Sequence, residues 1–91
     1  MNRRRIIHRS DSNQAEIVQA LRDVGATVDI IGEPVDLLVG FRGRNFLLEV
    51  KPDEKAKLRP SQQEFFAAWR GEVKRVNSRA EALEAIGIIV P

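Results

Sequence analysis

The chain has ninety-one residues, fifteen of them basic and thirteen acidic, and no cysteine. That length allows one domain with a small core, and the lack of cysteine excludes disulfides, thiolate metal sites and a cysteine nucleophile. No apolar run approaches the roughly 18 residues of a membrane span, and no apolar signal region follows the basic start MNRRRIIHR, so the expected location is cytoplasmic.

The charge is uneven. Arg3, Arg4, Arg5 and Arg9 fall in the first nine positions, leaving eleven basic against thirteen acidic residues in the body. Residues 1–10 form a basic arm on a mildly acidic domain, read either as a solvated tail or as a grip on nucleic-acid phosphate. His8, the only histidine, lies in that arm and reads as a phosphate or solvent contact.

The first predicted element is a helix from Ser12 to Val24, where Ile17, Leu21 and Val24 recur at i, i+4 and i+7. Asp11, Ser12 or Asn13 can cap it, Asn13 and Glu16 have capping-box spacing, and Gly25 stops it. Glu16 sits at the edge of the apolar stripe, able to reach inward or to favour the helix N-terminus. The segment TVDII, residues 27–31, reads as a strand. Residues 35–41 and 44–51 are β-rich runs on either side of Arg42-Gly43 and predict a hairpin. Pro52 ends the second of these, and residues 53–59 form a charged loop. Pro60 suits a first helical position, after which Gln62, Phe65, Phe66 and Trp69 share one helical face up to Gly71. Trp69 is expected in the core. A core-facing Gln62 needs partners, unless it is only a first-turn cap. Residues 73–76, VKRV, read as a short strand, and Ser78 with Glu81 forms an S-x-x-E box opening a last helix that ends near Gly87. The predicted fold is a single α/β domain over residues 1–91, a mixed β-sheet flanked by helices in the order α-β-β-β-α-β-α.

The hairpin holds an anomaly. Glu49 sits between Leu48 and Val50, and Asp36 precedes Leu37 and Leu38. Alternation puts Leu47, Glu49 and Lys51 on one face, with Glu49 and Lys51 roughly 7 Å apart. If Arg42 and Gly43 are the two loop residues, Phe41 faces Arg44, and the same register sets Asp36 opposite Glu49, with Cβ atoms about 5 Å apart. Opposed like charges destabilise a sheet. Either Lys51 bridges two surface acids, or a hard divalent cation such as Mg²⁺ or Mn²⁺ sits between them.

At this point the chain resembles a known group. PVD, twelve residues, then EVK matches the PD-(D/E)XK nuclease signature. Glu16 on a preceding helix, RG at the hairpin turn and the segment KLRPSQQEFFAAW, similar to K-L-[ST]-P-x-Q-x-x-F, sharpen the match. Together they resemble the small VRR-NUC nucleases of phages, relatives of Holliday-junction resolvases, over residues 13–86. Two departures stand out: Val35 separates the proline from Asp36, and Arg59 occupies the Ser/Thr position.

The resemblance implies a restriction-endonuclease-like fold and Mg²⁺- or Mn²⁺-dependent hydrolysis of DNA phosphodiesters. It assigns Asp36, Glu49 and Glu16 to the metal, with the backbone carbonyl of Val50, makes Lys51 the catalytic lysine and sets Gln62 beside it. Arg3, Arg4, Arg5 and Arg9 would grip DNA. The expected substrate is branched DNA such as a Holliday junction, cut by a two-fold homodimer, in the host-cell cytoplasm if a phage encodes the chain. Ile86, Ile88, Ile89 and Val90 at the C-terminal end either meet a partner or pair as an edge strand. The alternatives are a non-catalytic DNA-binding module derived from a nuclease, and an interaction protein whose acids form surface ion pairs.

Overall fold

The computed structural model describes residues 9–90, with side chains from Asn13 onward. Its elements are α1 (Arg9–Asp23), β1 (Thr27–Ile30), β2 (Leu37–Phe41), β3 (Arg44–Val50), α2 (Pro60–Ala68), β4 (Val73–Val76) and α3 (Arg79–Ala85). This is the α-β-β-β-α-β-α order expected from the sequence. The four strands form one sheet in the order β1-β2-β3-β4. The first three are antiparallel, and β4 runs parallel to β3, joined to it through α2.

The central hairpin turns as the sequence predicts. Phe41 pairs with Arg44 and Leu37 with Leu48. Arg42 and Gly43 both take positive φ, 53° and 78°. That pair of left-handed residues is the signature of a type I′ turn, whose twist matches the strands it joins. Glycine at the second position carries its positive φ without a Cβ penalty.

One face of the sheet is the core. Leu37, Val39, Phe46, Leu48 and Val50 point into it and are buried. The helices α1 and α3 cover this face, contributing Ile17, Val18, Leu21 and Ala82. Burying each of the larger ones, Ile17, Val18 and Leu21, stabilises the fold by roughly 1.5–3 kcal/mol. The opposite face carries Leu38, Leu47 and Glu49. It is only partly covered, by α2, which leaves a trough lined by Leu38, Leu47, Phe65 and Trp69. Trp69 is therefore not core: it caps the end of α2, is 46% exposed and stacks on Phe65 at 5.1 Å between ring centroids.

Two boundaries differ from expectation. The first helix starts at Arg9, so Asn13 lies inside it and is not its cap. No glycine or proline interrupts residues 9–16, and the Asn13 amide has other work. It donates to the backbone oxygens of Lys51 (2.8 Å) and Asn77 (3.2 Å), clamping α1 onto the ends of β3 and β4. Arg9 thus belongs to a helix and not to a free arm, although its side chain is outside the described set. Arg3, Arg4, Arg5 and His8 lie outside the described residues.

The second difference is at the C-terminal end. Ser78 caps α3 as predicted, its hydroxyl accepting from the Glu81 amide at 3.1 Å. The Glu81 carboxylate in turn accepts from the Asn77 amide at 2.8 Å, one residue before the cap itself. Gly87, at φ 97°, ends the helix and turns the chain back, with the Ile88 amide donating to the Leu83 carbonyl. Residues 87–90 form no strand. Ile86 is buried, Ile88 packs against the core, and Ile89 is 92% exposed.

Candidate active site

The site is built at the end of the hairpin remote from its turn. Strand alternation sends Glu49 away from the hydrophobic core while its neighbours Leu48 and Val50 enter it. Glu49 is nevertheless only 4% exposed. Asp36 precedes β2 by one residue, and the β2–β3 register continued by one rung sets it opposite Glu49. Reciprocal bonds fix the pair. The Asp36 amide donates to Glu49 Oε1 at 3.2 Å, and the Val50 amide donates to Asp36 Oδ2 at 2.9 Å. The Asp36 carbonyl in turn accepts from the amides of Ile31 and Gly32. Each carboxylate is thus held by the backbone of the other strand, and neither floats on a long free side chain.

Lys51 follows on the same face. Its Nζ lies 3.3 Å from Glu49 Oε2 and donates to Gln62 Oε1 at 3.1 Å. Gln62 is 2% exposed, so the face shared with Phe65 and Phe66 does turn it inward. The same Oε1 also accepts from the Arg59 amide at 3.0 Å. Both sequence readings of Gln62 hold together: it caps the first turn of α2 and it holds the lysine.

Burial pushes the Glu49 carboxyl above its ordinary value of 4.5, and the nearby charge of Asp36 pushes it further. Hydrogen bonds from Gln62 and Lys51, and the lysine's charge, pull it back without cancelling the rise. A carboxylate in that position favours anything that relieves the repulsion, either a proton or a cation.

Asp36, Glu49, Val50 and Lys51 line one open cavity of about 230 Å³, completed by Gln14, Pro52, Ala56 and Arg59. Four of the expected site residues therefore converge in it, with Gln62 behind Lys51. Glu16 does not. It is exposed, and Gln14 takes the place on α1 that the resemblance gave to Glu16. The reason is helical phase. Ile17, Val18 and Leu21 are the buried residues of α1, and Val24 is exposed. Val18 rotates the buried stripe so that it runs 14, 17, 18, 21, which brings Gln14 inward and sends Glu16 to the far side. Among the described residues no group of three Asp, Glu, His or Cys side chains is placed to hold a metal ion. The donor set fits a hard cation all the same. Two fixed carboxylates would supply the charge, Gln14 and Val50, which also line the cavity, could add neutral oxygens, and Mg²⁺ commonly keeps several waters.

Arg75 is a residue the sequence reading missed. It pairs with Glu49 in the β3–β4 register and donates to the carbonyls of Asp53 and Ala56, both at 2.6 Å. It pins the loop between Lys51 and α2, with help from Asp53, whose carboxylate accepts from the amides of Lys55 and Ala56. Only its place in a strand two residues after Val73 marked it as facing this side.

No family model matches the chain, and no curated relative matches it. A solved structure described as "VRR_NUC domain" matches with a TM-score of 0.75 and 25% identity, over 90% of this chain and 98% of that one. The fold is that of a VRR_NUC domain. The coverage of 90% of this chain and 98% of that one makes the likeness one of whole domains. The VRR_NUC-like fold is what brings the hairpin acids and the lysine after β3 to one cavity, with the glutamine of α2 behind the lysine. No helix among the described residues is long and apolar enough to cross a membrane.

Proposed function

We propose that this protein is a Mg²⁺- or Mn²⁺-dependent endodeoxyribonuclease, selective for branched DNA such as Holliday junctions. The observation that carries the reading is the convergence of Asp36, Glu49 and Lys51 at one cavity of a nuclease-type fold, with Gln62 holding the lysine from behind. Asp36 and Glu49, with Gln14 and the Val50 carbonyl, would hold the metal. When bound, the metal would polarise the scissile phosphate and acidify a water. Lys51, held between Glu49 and Gln62, would position that water and stabilise negative charge growing on the phosphate. Gln62 keeps the lysine at the cavity. Arg3, Arg4, Arg5 and Arg9 would contact backbone phosphate, which favours shape over base sequence. A two-fold homodimer would match the approximate symmetry of a four-way junction; the exposed Ile89 supports a contact at that end.

One observation favours a second reading, a non-catalytic DNA-binding module. Glu16 is turned away, so the cavity has two acids where the resembled site has three. Calorimetric titration with Mn²⁺, beside a cleavage panel of linear, flapped and four-way DNA, separates the two. The nuclease binds Mn²⁺ and cleaves, and Lys51→Ala still folds and binds Mn²⁺ but loses cleavage, with a lower metal-free melting temperature because the buried Glu49 gives up its partner. Absence of Mn²⁺ binding refutes the nuclease reading, and near-normal turnover by Lys51→Ala refutes the role given to the lysine.

A further inference from the structure

We propose that Arg59 is the phosphate-gripping cation of this site, fixed in place by the same oxygen that fixes Lys51. The inference rests on the nuclease reading and names a DNA contact inside it. It starts from what Lys51 can and cannot do. Its Nζ lies 3.3 Å from Glu49 Oε2 and donates to Gln62 Oε1, so its charge is largely committed to a buried carboxylate. A phosphodiester arriving over Asp36 and Glu49 meets two acids and needs a second cation. Among the described residues lining that cavity, Arg59 is the other basic side chain, and it is exposed.

Its position is unusually well defined for an exposed arginine. The Arg59 amide donates to Gln62 Oε1, the atom that accepts from Lys51 Nζ. Arginine backbone and lysine ammonium are therefore referenced to one buried oxygen. On the far side, the Arg59 carbonyl accepts from the Gln63 amide at 2.9 Å, and the Gln63 side chain donates to the Leu58 carbonyl. The loop leading in is pinned by Arg75 through the carbonyls of Asp53 and Ala56. Extended backbone at Arg59, φ −67° and ψ 158°, followed by Pro60 at the first helical position, leaves little freedom at its Cα. Only the side chain is left free to move, and its planar fork suits two oxygens of a phosphate. Lys55 and Lys57 are exposed on the same loop.

The test uses the full chain and two variants. Arg59→Ser removes the guanidinium but supplies a good helix cap at that position. Arg59→Lys keeps the charge without the fork. The readouts are anisotropy binding of a labelled four-way junction in EDTA over a KCl series, steady-state cleavage with Mn²⁺, Mn²⁺ calorimetry and melting temperature. The expected result for Arg59→Ser is an unchanged melting temperature and Mn²⁺ affinity, with junction affinity down about tenfold. Its log–log salt slope becomes shallower by about 0.9, the value of one phosphate contact. KM rises more than kcat falls. Arg59→Lys recovers the slope but only part of the affinity. A wild-type affinity and slope in Arg59→Ser overturns the proposal, as does a fall in melting temperature and Mn²⁺ affinity that accounts for the binding loss. A wild type that binds junctions through Arg59 in EDTA but never cleaves rejects the nuclease reading and keeps the contact.

Discussion

Replacing Asp36 with Asn should stabilise the metal-free protein and cost it metal binding. The change is nearly isosteric. An Asn oxygen can still accept from the Val50 amide, the bond that Asp36 Oδ2 makes at 2.9 Å. The Lys51–Glu49 pair and the Gln62 bond are untouched. What disappears is one of two negative charges set opposite each other on the sheet. At about 5 Å and an effective dielectric near 20, the gross repulsion is about 3 kcal/mol, a ceiling that the neighbouring lysine reduces. Opposed like charges on sheets cost roughly 0.2–1 kcal/mol net. For a domain of this size that corresponds to a rise of about 1–8 °C in melting temperature.

The pH dependence gives the prediction its sign. Burial first, and Asp36 second, raise the Glu49 carboxyl above 4.5 in the folded protein. The folded state then binds a proton more tightly than the unfolded chain does. That contribution to stability is fully present below the ordinary carboxylate range and is lost as pH rises through the folded value. Without Asp36 the second cause is gone, so the loss should be smaller and occur at lower pH. Melting curves in EDTA from pH 4 to 8 should therefore separate, with Asp36→Asn gaining over wild type as pH increases. With Mg²⁺ added, the wild type should rise and the variant should not, because a ligand stabilises only a fold that holds its site. Equal or lower stability of Asp36→Asn at pH 7 in EDTA, or parallel pH profiles, would refute the claim that the two acids repel each other here.

Two further outcomes follow from the placement of α1 and of the C-terminal residues. Gln14→Ala should weaken Mn²⁺ binding about tenfold, within the range for residues that support a metal site, while Glu16→Ala leaves calorimetry and cleavage unchanged; a Glu16→Ala variant that loses metal affinity would reverse the assignment of the helix face. Light scattering at micromolar concentration should report a dimer for the full chain and a monomer without residues 87–91; a monodisperse full-length monomer that still makes paired cuts in a four-way junction would defeat the homodimer.

How much of this was legible in the sequence depended on which periodicity each residue answered to. The hairpin acids could be located because a strand has a period of two and a two-residue turn leaves one register. Arg42-Gly43 named that turn, and the pairing of Asp36 with Glu49 followed by counting rungs. Gln62 was similarly accessible, since Phe65 and Phe66 fix its helical face. Trp69 obeyed the same count but fell at the end of α2, where the helix stops and the side chain lies over Gly71. A Cβ at Gly71 would stand 2.7 Å from the indole nitrogen, so a glycine two residues on decides where the tryptophan goes. Helical phase on α1 was harder. Ile17, Leu21 and Val24 define one acceptable stripe, Ile17, Val18 and Leu21 another, and they differ by part of a turn. The spacing from Leu21 made Val24 look like part of the buried face, but the helix ends at Asp23, one residue earlier, and Val24 is exposed. Only tertiary contact resolves that, because the helix is anchored at its other end, where Asn13 reaches Lys51 and Asn77.

That anchor connects the fold to the chemistry. Asn13 accounts for the Lys51 carbonyl, Val76 accepts from the Lys51 amide at 2.9 Å, and Gln62 with Glu49 holds the ammonium. The three polar groups of Lys51 are thus tied to four elements: the carbonyl to α1, the amide to β4, and the ammonium to α2 and β3. A lysine fixed from four directions loses little entropy when a substrate arrives, and its charge lies where two opposed acids already strain the sheet. The repulsion that makes the metal-free site costly is the same feature that would make a cation welcome there. Stability and the proposed activity therefore draw on one pair of residues with opposite sign, which is the pattern expected where a fold gives up some stability for function.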